Sequence, residues 1–192
     1  MVQYEYSAQY AKQKLVEGNK AYVASRKACC EASTETLLRL VKEGQHPYAI
    51  IVACSDSRVI PEVIFQAGLG DLFVIRVAGN VMESHQLGSI EYAAEHLGTG
   101  LIVVLGHDHC GAVDAALNHQ PEGYIKYITD DIIEAIGEER DPDQAAELNV
   151  RHAVDRLRRE FSEHPEMDGV SISGAVFNIL TGNVRWIDME NS

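Results

Sequence analysis

The sequence predicts an α/β fold, in which a central, mostly parallel β-sheet is flanked by helices. Three short apolar runs, at residues 49–53, 72–78 and 101–105, are rich in β-branched side chains and are followed closely by glycine or polar residues. Such runs are typical of strands that are buried on both faces, as in parallel sheets. Helical patterns lie between them, and strands that alternate with helices favour right-handed crossovers within one sheet.

The helices are predicted from apolar residues that recur at the spacing of one helix face. Apolar stripes of this kind occupy residues 90–97, 125–136 and 150–161. Gly98 is a stop signal after the first stripe, and the segment Asp141-Pro142-Asp143 is a start signal before the third. We therefore expect one helix between the second and third strands and further helices after Cys110.

The two ends of the chain are predicted to differ in structure. Residues 7–43 are rich in helix formers and stop at Gly44, so we expect an N-terminal helical arm (residues 1–44) that packs on this core or on a second subunit. Near the other end, apolar runs at 170–179 and 184–187 flank a turn, which is typical of a C-terminal β-hairpin at the sheet edge. Because 192 residues suit one hydrophobic core, residues 1–192 are expected to form a single domain.

The charge balance excludes several classes of partner. Lys and Arg total 16 against 29 Asp and Glu, which gives a formal net charge of -13. A surface this negative repels phosphate backbones and anionic lipids, so we expect no nucleic acid and no membrane partner. No apolar run approaches the roughly 20 residues that cross a bilayer, and the first six residues do not resemble a secretory signal. We therefore expect a cytoplasmic protein.

Four cysteines, at positions 29, 30, 54 and 110, are too few for a disulfide scaffold. Cys54 follows the first predicted strand, while His107 and Cys110 follow the third, and loops at the carboxyl ends of parallel strands can meet. Two thiolates and an imidazole suit Zn²⁺, and three protein ligands leave the fourth tetrahedral position open for chemistry. The alternatives are that both cysteines are small buried hydrophobes, or that His109 replaces His107 as the ligand.

Asp56 and Arg58 follow Cys54 closely enough to pair across a tight turn. An arginine can hold a carboxylate bidentately and keep it ionised beside a metal. The alternative is a surface ion pair of little energetic value. The sequence contains no GxGxxG or GxxxxGK loop for phosphate binding and no GxSxG elbow, so it lacks the usual signals of a nucleotide-binding protein or a serine hydrolase.

Several motifs together resemble those of the β-class carbonic anhydrases. The segment CSDSRV at 54–59 is similar to the family's first zinc motif, and GHDHCGAV at 106–113 is similar to the second. GLGDLFVIRVAGNV at 68–81 and GSIEYAAEHLG at 88–98 also match family segments in order and spacing. The resemblance extends from about residue 15 to residue 187, which is nearly the whole chain.

The resemblance implies a zinc enzyme with one Zn²⁺ per chain, bound by Cys54, His107 and Cys110. The implied activity is the reversible hydration of carbon dioxide to bicarbonate and a proton, by attack of zinc-bound hydroxide on CO₂. Asp56 and Arg58 match the family's dyad, which orients or gates the zinc-bound water. Two sulfur ligands donate more charge to zinc than imidazoles do, so the zinc-bound water should be less acidic than in a three-imidazole site. We therefore expect activity to rise toward alkaline pH.

The resemblance also implies a substrate pocket, some of which is contributed across a dimer interface in the family. The matching positions are Gln45, Phe73, Ala78, Tyr92 and Gly111. Taken without the family, four of these residues have ordinary explanations in packing, local polarity or turn formation, namely Gln45, Phe73, Tyr92 and Gly111. The family implies a homodimer, or a homotetramer made of paired dimers. Two rival functions stay open, namely hydrolysis of carbonyl sulfide or carbon disulfide, and a non-catalytic zinc or bicarbonate sensor.

Overall fold

A five-stranded sheet forms the centre of the computed structural model, which describes residues 4–27, 32–118 and 121–187. The strands are β1 (Ala49–Ala53), β2 (Leu72–Arg76), β3 (Leu101–His107), β4 (Ser171–Phe177) and β5 (Val184–Ile187). Their spatial order is β2-β1-β3-β4-β5, and every neighbouring pair is parallel except the β4–β5 pair. The predicted α/β class and the predicted hairpin at the sheet edge are therefore both confirmed.

Helices precede the sheet, connect its strands and cover its faces. Within the described residues they are α1 (Ala8–Ser25), α2 (Thr34–Glu43), α3 (Pro61–Ile64), α4 (Ser84–His96), α5 (Gly111–Asn118), α6 (Ile125–Ile136) and α7 (Pro142–Phe161). Two short 3₁₀ turns lie at Ala78–Asn80 and Pro165–Met167. The predicted start at Asp141 is confirmed, because its carboxylate accepts hydrogen bonds from the first backbone N–H groups of α7. None of the helices in these ranges is long and apolar enough to cross a membrane.

Alternate residues of the central strands pack on opposite faces of the sheet. Ile50, Val52 and Val104 belong to the apolar cluster on one face, together with residues of α4 and α7. Ile51 and Val103 belong to the cluster on the other face, with residues of α1 and α3. This two-sided burial follows from the side-chain period of a strand and explains why the strand sequences are almost wholly apolar.

The N-terminal arm consists of two helices that differ in packing. Helix α1 buries Ala11, Leu15 and Asn19 against the sheet and α3. Helix α2 has no buried residue, and the side chains of Leu38 and Val41 are 66% and 86% exposed. Gly44 ends the arm as predicted, with a positive φ that favours glycine. The first helix therefore packs on its own core, while the second leaves an apolar face open.

The ends of β2 and β3 are among those that differ from the sequence prediction. Strand β2 ends at Arg76 instead of residue 78, because the chain turns into the 3₁₀ segment at Ala78. Strand β3 continues to His107, two residues beyond the predicted end, since it keeps its pairing with β4 as far as Phe177. Cys29 and Cys30 lie outside the described residues.

Candidate metal centre

Three potential metal ligands meet where β1 and β3 end. The two strands are adjacent and parallel, with Ala53 paired to Leu105, so Cys54 and His107 leave the sheet at the same edge. Cys110 follows a short turn and immediately precedes α5. The ligand atoms of Cys54, His107 and Cys110 all lie within 4.8 Å of one another, and each residue is at least 94% buried. We call this side of the sheet, with the loops that follow β1, β2 and β3, the carboxyl edge.

The imidazole of His107 is oriented to bind a cation. Its Nδ1 lies 2.7 Å from the backbone carbonyl oxygen of Asp108. Because a carbonyl can only accept, Nδ1 donates this bond, and the lone pair falls on Nε2. That Nε2 is buried and has no hydrogen-bond partner. A buried polar atom without a partner is costly, and a metal ion at this position removes the cost. The donor set and the tautomer therefore fit zinc.

The surroundings of the two sulfurs favour a thiolate at Cys54 and a protonated thiol at Cys110. The pKa of Cys54 is lowered, first because the Cys110 thiol donates a hydrogen bond to its sulfur, and further because the His107 ring and the backbone N–H groups of Asp56 and Gly79 lie beside it. The Gly79 N–H lies 3.2 Å from the Cys54 sulfur. The pKa of Cys110 is raised, since this thiol is the donor to Cys54 and is buried. A divalent cation would replace that shared proton and accept both sulfurs as thiolates.

Asp56 and Arg58 form a bidentate pair next to this cluster. Arg58 Nε donates to Asp56 Oδ1 at 3.0 Å, and Nη2 donates to Oδ2 at 2.7 Å. The Arg58 backbone N–H also donates to Oδ1, at 2.9 Å. The hydrogen bonds from Arg58 lower the pKa of Asp56 to about 2. The guanidinium further donates to the carbonyl oxygen of His109 at 3.0 Å, which ties the two loops of the carboxyl edge together.

Arg76 also contributes to this edge, although the sequence analysis did not single it out. Its Nε donates to the Cys54 carbonyl oxygen at 2.9 Å, and its Nη2 donates to the Asp56 carbonyl oxygen at 2.6 Å. Arg76 therefore holds the backbone of the loop that carries the first ligand and the dyad. The available signal was a single charged residue within the apolar run at 72–78.

The predicted pocket residues fall into two groups at opposite edges of the sheet. Ala78 directly precedes Gly79, the donor to Cys54, and Gly111 directly follows Cys110, beside a cavity of about 290 Å³. Gln45, Phe73 and Tyr92 lie elsewhere. Gln45 precedes β1, and Phe73 pairs with Ile50 near the start of that strand. We call this side the amino edge.

The amino edge is too far away to serve the ligands of the same chain. Strand β1 has five residues and advances about 3.3 Å per residue, so it separates the two edges by roughly 13 Å. Gln45 and Tyr92 line one surface groove of about 870 Å³, bordered by α4 and the end of α2. The Tyr92 ring also contacts the Phe73 ring, with centroids 6.3 Å apart. The three residues therefore belong to one surface, which opens away from the metal ligands.

Comparison with known proteins agrees with this architecture. The family model described as "Carbonic anhydrase" matches residues 49–184. Carbonic anhydrase 2 of Mycobacterium tuberculosis is 48% identical over 127 residues, which cover 64% of this chain and 59% of that protein. The match thus spans less than two thirds of that relative's length. A carbonic anhydrase of Pseudomonas aeruginosa is 34% identical over 174 residues, with 79% of this chain and 78% of that protein covered.

Solved structures agree in fold over most of the chain. A Coccomyxa β-carbonic anhydrase in complex with acetazolamide has a TM-score of 0.69 and 27% identity, covering 90% of this chain and 84% of that one. A tetrameric β-carbonic anhydrase of Sordaria macrospora has a TM-score of 0.68 and 25% identity, covering 93% and 97%. The chain belongs to the β-carbonic anhydrase family.

Proposed function

We propose that this protein catalyses the reversible hydration of carbon dioxide to bicarbonate and a proton, with one zinc ion per chain held by Cys54, His107 and Cys110. The observation that carries the proposal is the convergence of three buried ligand atoms within 4.8 Å, one of them an imidazole nitrogen without a partner. When bound in such a site, zinc lowers the pKa of a coordinated water from about 15.7 toward neutrality and so supplies the nucleophile.

Asp56 is proposed to orient the nucleophile. An ionised carboxylate offers about four acceptor positions, and Arg58 fills three of them, two on Oδ1 and one on Oδ2. The remaining position on Oδ2 would accept a hydrogen bond from the attacking water and so orient it, while the carboxylate stays ionised. Arg58 also keeps Asp56 ionised throughout the neutral range, because it lowers the pKa of the carboxyl to about 2. This arrangement supports the form in which Asp56 pairs with Arg58 and leaves the fourth metal position to solvent.

The substrate pocket is proposed to be shared between two copies of the chain. Ala78 and Gly111 line it from the chain that supplies the metal ligands. Gln45, Phe73 and Tyr92 would reach it only from a second copy, because the length of β1 separates them from their own ligands. The open apolar face of α2 supports such pairing, since large exposed side chains such as Val41 gain free energy when a partner covers them. Pairs of dimers would give the tetramer.

Both ligand cysteines must be reduced in order to bind zinc. The cytoplasmic location expected from the sequence would keep Cys54 and Cys110 as the free thiols that zinc binding requires.

The test combines metal analysis with stopped-flow measurement of CO₂ hydration across pH. We expect one zinc per chain and a rate that rises from neutral to mildly alkaline pH, because two thiolates keep the coordinated water less acidic than three imidazoles would. Parallel assays on carbonyl sulfide and carbon disulfide test the rival hydrolases. Zinc binding without hydration at any pH would instead favour the sensor, and a chain that binds no zinc would contradict both.

A further inference from the structure

Asp108 lies between two metal ligands and has no role in the function proposed above. It is only 8% exposed, which is unusual for a carboxylate. Its backbone carbonyl oxygen accepts the hydrogen bond from His107 Nδ1 at 2.7 Å. That bond decides which imidazole nitrogen keeps a lone pair, so the position of the Asp108 carbonyl decides whether His107 can bind a metal.

The Asp108 carboxylate anchors this carbonyl to the turn between β4 and β5. Its Oδ1 accepts from the backbone N–H of Ile179 at 2.9 Å, and its Oδ2 accepts from Asn178 Nδ2 at 2.5 Å. The Asp108 backbone N–H donates to the Phe177 carbonyl oxygen at 3.1 Å. Three hydrogen bonds to three successive residues therefore hold Asp108 in one orientation.

The amide of Asn178 has only one orientation that satisfies its neighbours. Its Oδ1 accepts from the Thr181 backbone N–H at 2.7 Å, so Nδ2 is the end that faces Asp108. A flip would leave the Thr181 N–H opposite an NH₂ group and Asp108 opposite an oxygen. The pair thus has a fixed polarity, with a carboxylate at 108 and an amide at 178.

Helix α1 holds the same turn from its other side. Asn19, which is 7% exposed, donates to the Gly182 carbonyl oxygen at 2.9 Å and accepts from the Val184 N–H at 3.0 Å. The turn is consequently part of the packed structure, and it offers Asp108 a rigid support.

We propose that Asp108 is a positioning residue for the metal site, which acts with Asn178 to fix the carbonyl that sets the His107 tautomer. The inference rests on the proposed zinc site but not on the reaction performed there. It predicts that the polarity of the 108–178 pair controls metal affinity in the folded protein.

Asp108→Asn is the primary test. The new amide places a donor against Asn178 Nδ2 in one orientation and against the Ile179 N–H in the other, so one bond is lost either way. We expect zinc affinity, measured by competition with a chromophoric chelator, to fall roughly 10- to 100-fold. We also expect the visible absorption bands of the Co²⁺-loaded protein to shift, because the imidazole is no longer held in one orientation.

The reversed pair Asp108→Asn with Asn178→Asp is the rescue. The amide now at position 108 can donate to one carboxylate oxygen at position 178, while the other oxygen still accepts from Thr181, so every bond is restored. We expect the double variant to recover zinc affinity and the cobalt spectrum. The single variant Asn178→Asp should instead show weakened zinc binding and a shifted cobalt spectrum. Asp130→Asn, which removes an exposed carboxylate of α6 and leaves the turn intact, is the charge-matched control.

Hydrogen exchange in the wild-type chain gives a second test that needs no variant. Coupling between two sites is reciprocal, so zinc should slow exchange of the Ile179 N–H and the Asn178 side-chain amide. Unchanged affinity and spectrum in folded Asp108→Asn, no recovery in the reversed pair, or equal exchange with and without zinc would each overturn the inference. Failure of the wild-type chain to bind zinc would instead overturn the proposed function.

Discussion

The carboxyl edge of the sheet carries more of the predicted site residues than the amino edge, and the two edges also differ in completeness. At the carboxyl edge one chain brings together three buried ligands, a bidentate Asp56–Arg58 pair and the backbone donor at Gly79. At the amino edge Gln45 and Tyr92 line an open groove and the Phe73 ring contacts Tyr92, but the groove is lined by none of the groups named at the carboxyl edge. A parallel sheet collects the loops after its strands at one edge, so residues before the strands need another chain to reach a site.

In the proposed function the two edges are halves of one site that the length of β1 keeps apart. The proposed site is complete only when the carboxyl edge of one copy faces the amino edge of another. In a two-fold dimer the same contact occurs twice, so both sites are completed together. The predictions below test this division, in order of decreasing effect.

The largest effect is expected from mixing two inactive variants. Cys54→Ser removes a metal ligand and should abolish zinc binding and hydration, while Gln45→Ala should keep zinc and lose most of the turnover. In a mixed dimer the carboxyl edge of the Gln45→Ala chain faces an intact Gln45. One of the two sites in each mixed dimer is therefore complete and regains activity. The measurement is CO₂ hydration after unfolding and refolding the variants together.

Each variant refolded alone is the control for this experiment. A mixture no more active than its parents would mean that Gln45 does not act across subunits, and it would remove the shared pocket from the proposed function.

Asp56→Asn tests the dyad at the carboxyl edge alone. The amide loses the charge that pairs with Arg58 and offers a donor where an acceptor is needed. We expect turnover to fall roughly 100-fold or more, while zinc content stays at one per chain. Because the pKa of Asp56 is about 2, the alkaline rise in rate belongs to another group and should persist in the residual activity. Full activity in this variant would remove Asp56 from the mechanism.

Gly18→Ala tests the close packing of α1 against the end of α3. A Cβ at this position would overlap the Phe65 backbone carbonyl oxygen, at the end of α3, so the helix must move. We expect the free energy of unfolding to fall by about 1–3 kcal/mol, measured by urea denaturation. Gly88→Ala in α4 is the matched control, since nothing lies within 4 Å of its added Cβ. That variant should be neutral or stabilised by up to about 1 kcal/mol.

Equal destabilisation of the two glycine variants would show that α1 does not pack closely against α3 in solution.

The smallest effect concerns His46 at the amino edge. Its pKa is raised above 6.5, first by the bond to the Glu43 carbonyl oxygen and then by Glu5, which lies 2.8 Å from its Nδ1. A raised histidine pKa means that its stabilisation is present below pH 6.5 and is lost as the pH rises through the raised value. In an NMR titration, Glu5→Gln should lower the His46 pKa but leave it above 6.5, whereas Glu17→Gln should not change it.

The same pKa in wild type and Glu5→Gln would show that the His46–Glu5 contact is absent in solution.

Much of the fold could be predicted because its signals are local. Apolar runs of five residues and helical stripes identify strands and helices directly, and the Asp141 start signal and the Gly44 stop signal act on adjacent backbone. The end of β3 was predicted two residues early, because pairing with β4 extends the strand through Gly106 to His107. Pairing with a distant strand leaves no local trace in the sequence.

The amino-acid sequence by itself determined which groups can bind a cation, because residue type decides donor chemistry, and the spacing of Cys54, His107 and Cys110 placed them after buried strands. Only the tertiary structure decided which groups meet. It put Gln45 at the far edge, used Arg76 to hold the ligand loop, and joined Asp108 to Asn178 across 70 residues. Such contacts depend on the register and direction of strands, which are set by the packing of the whole sheet.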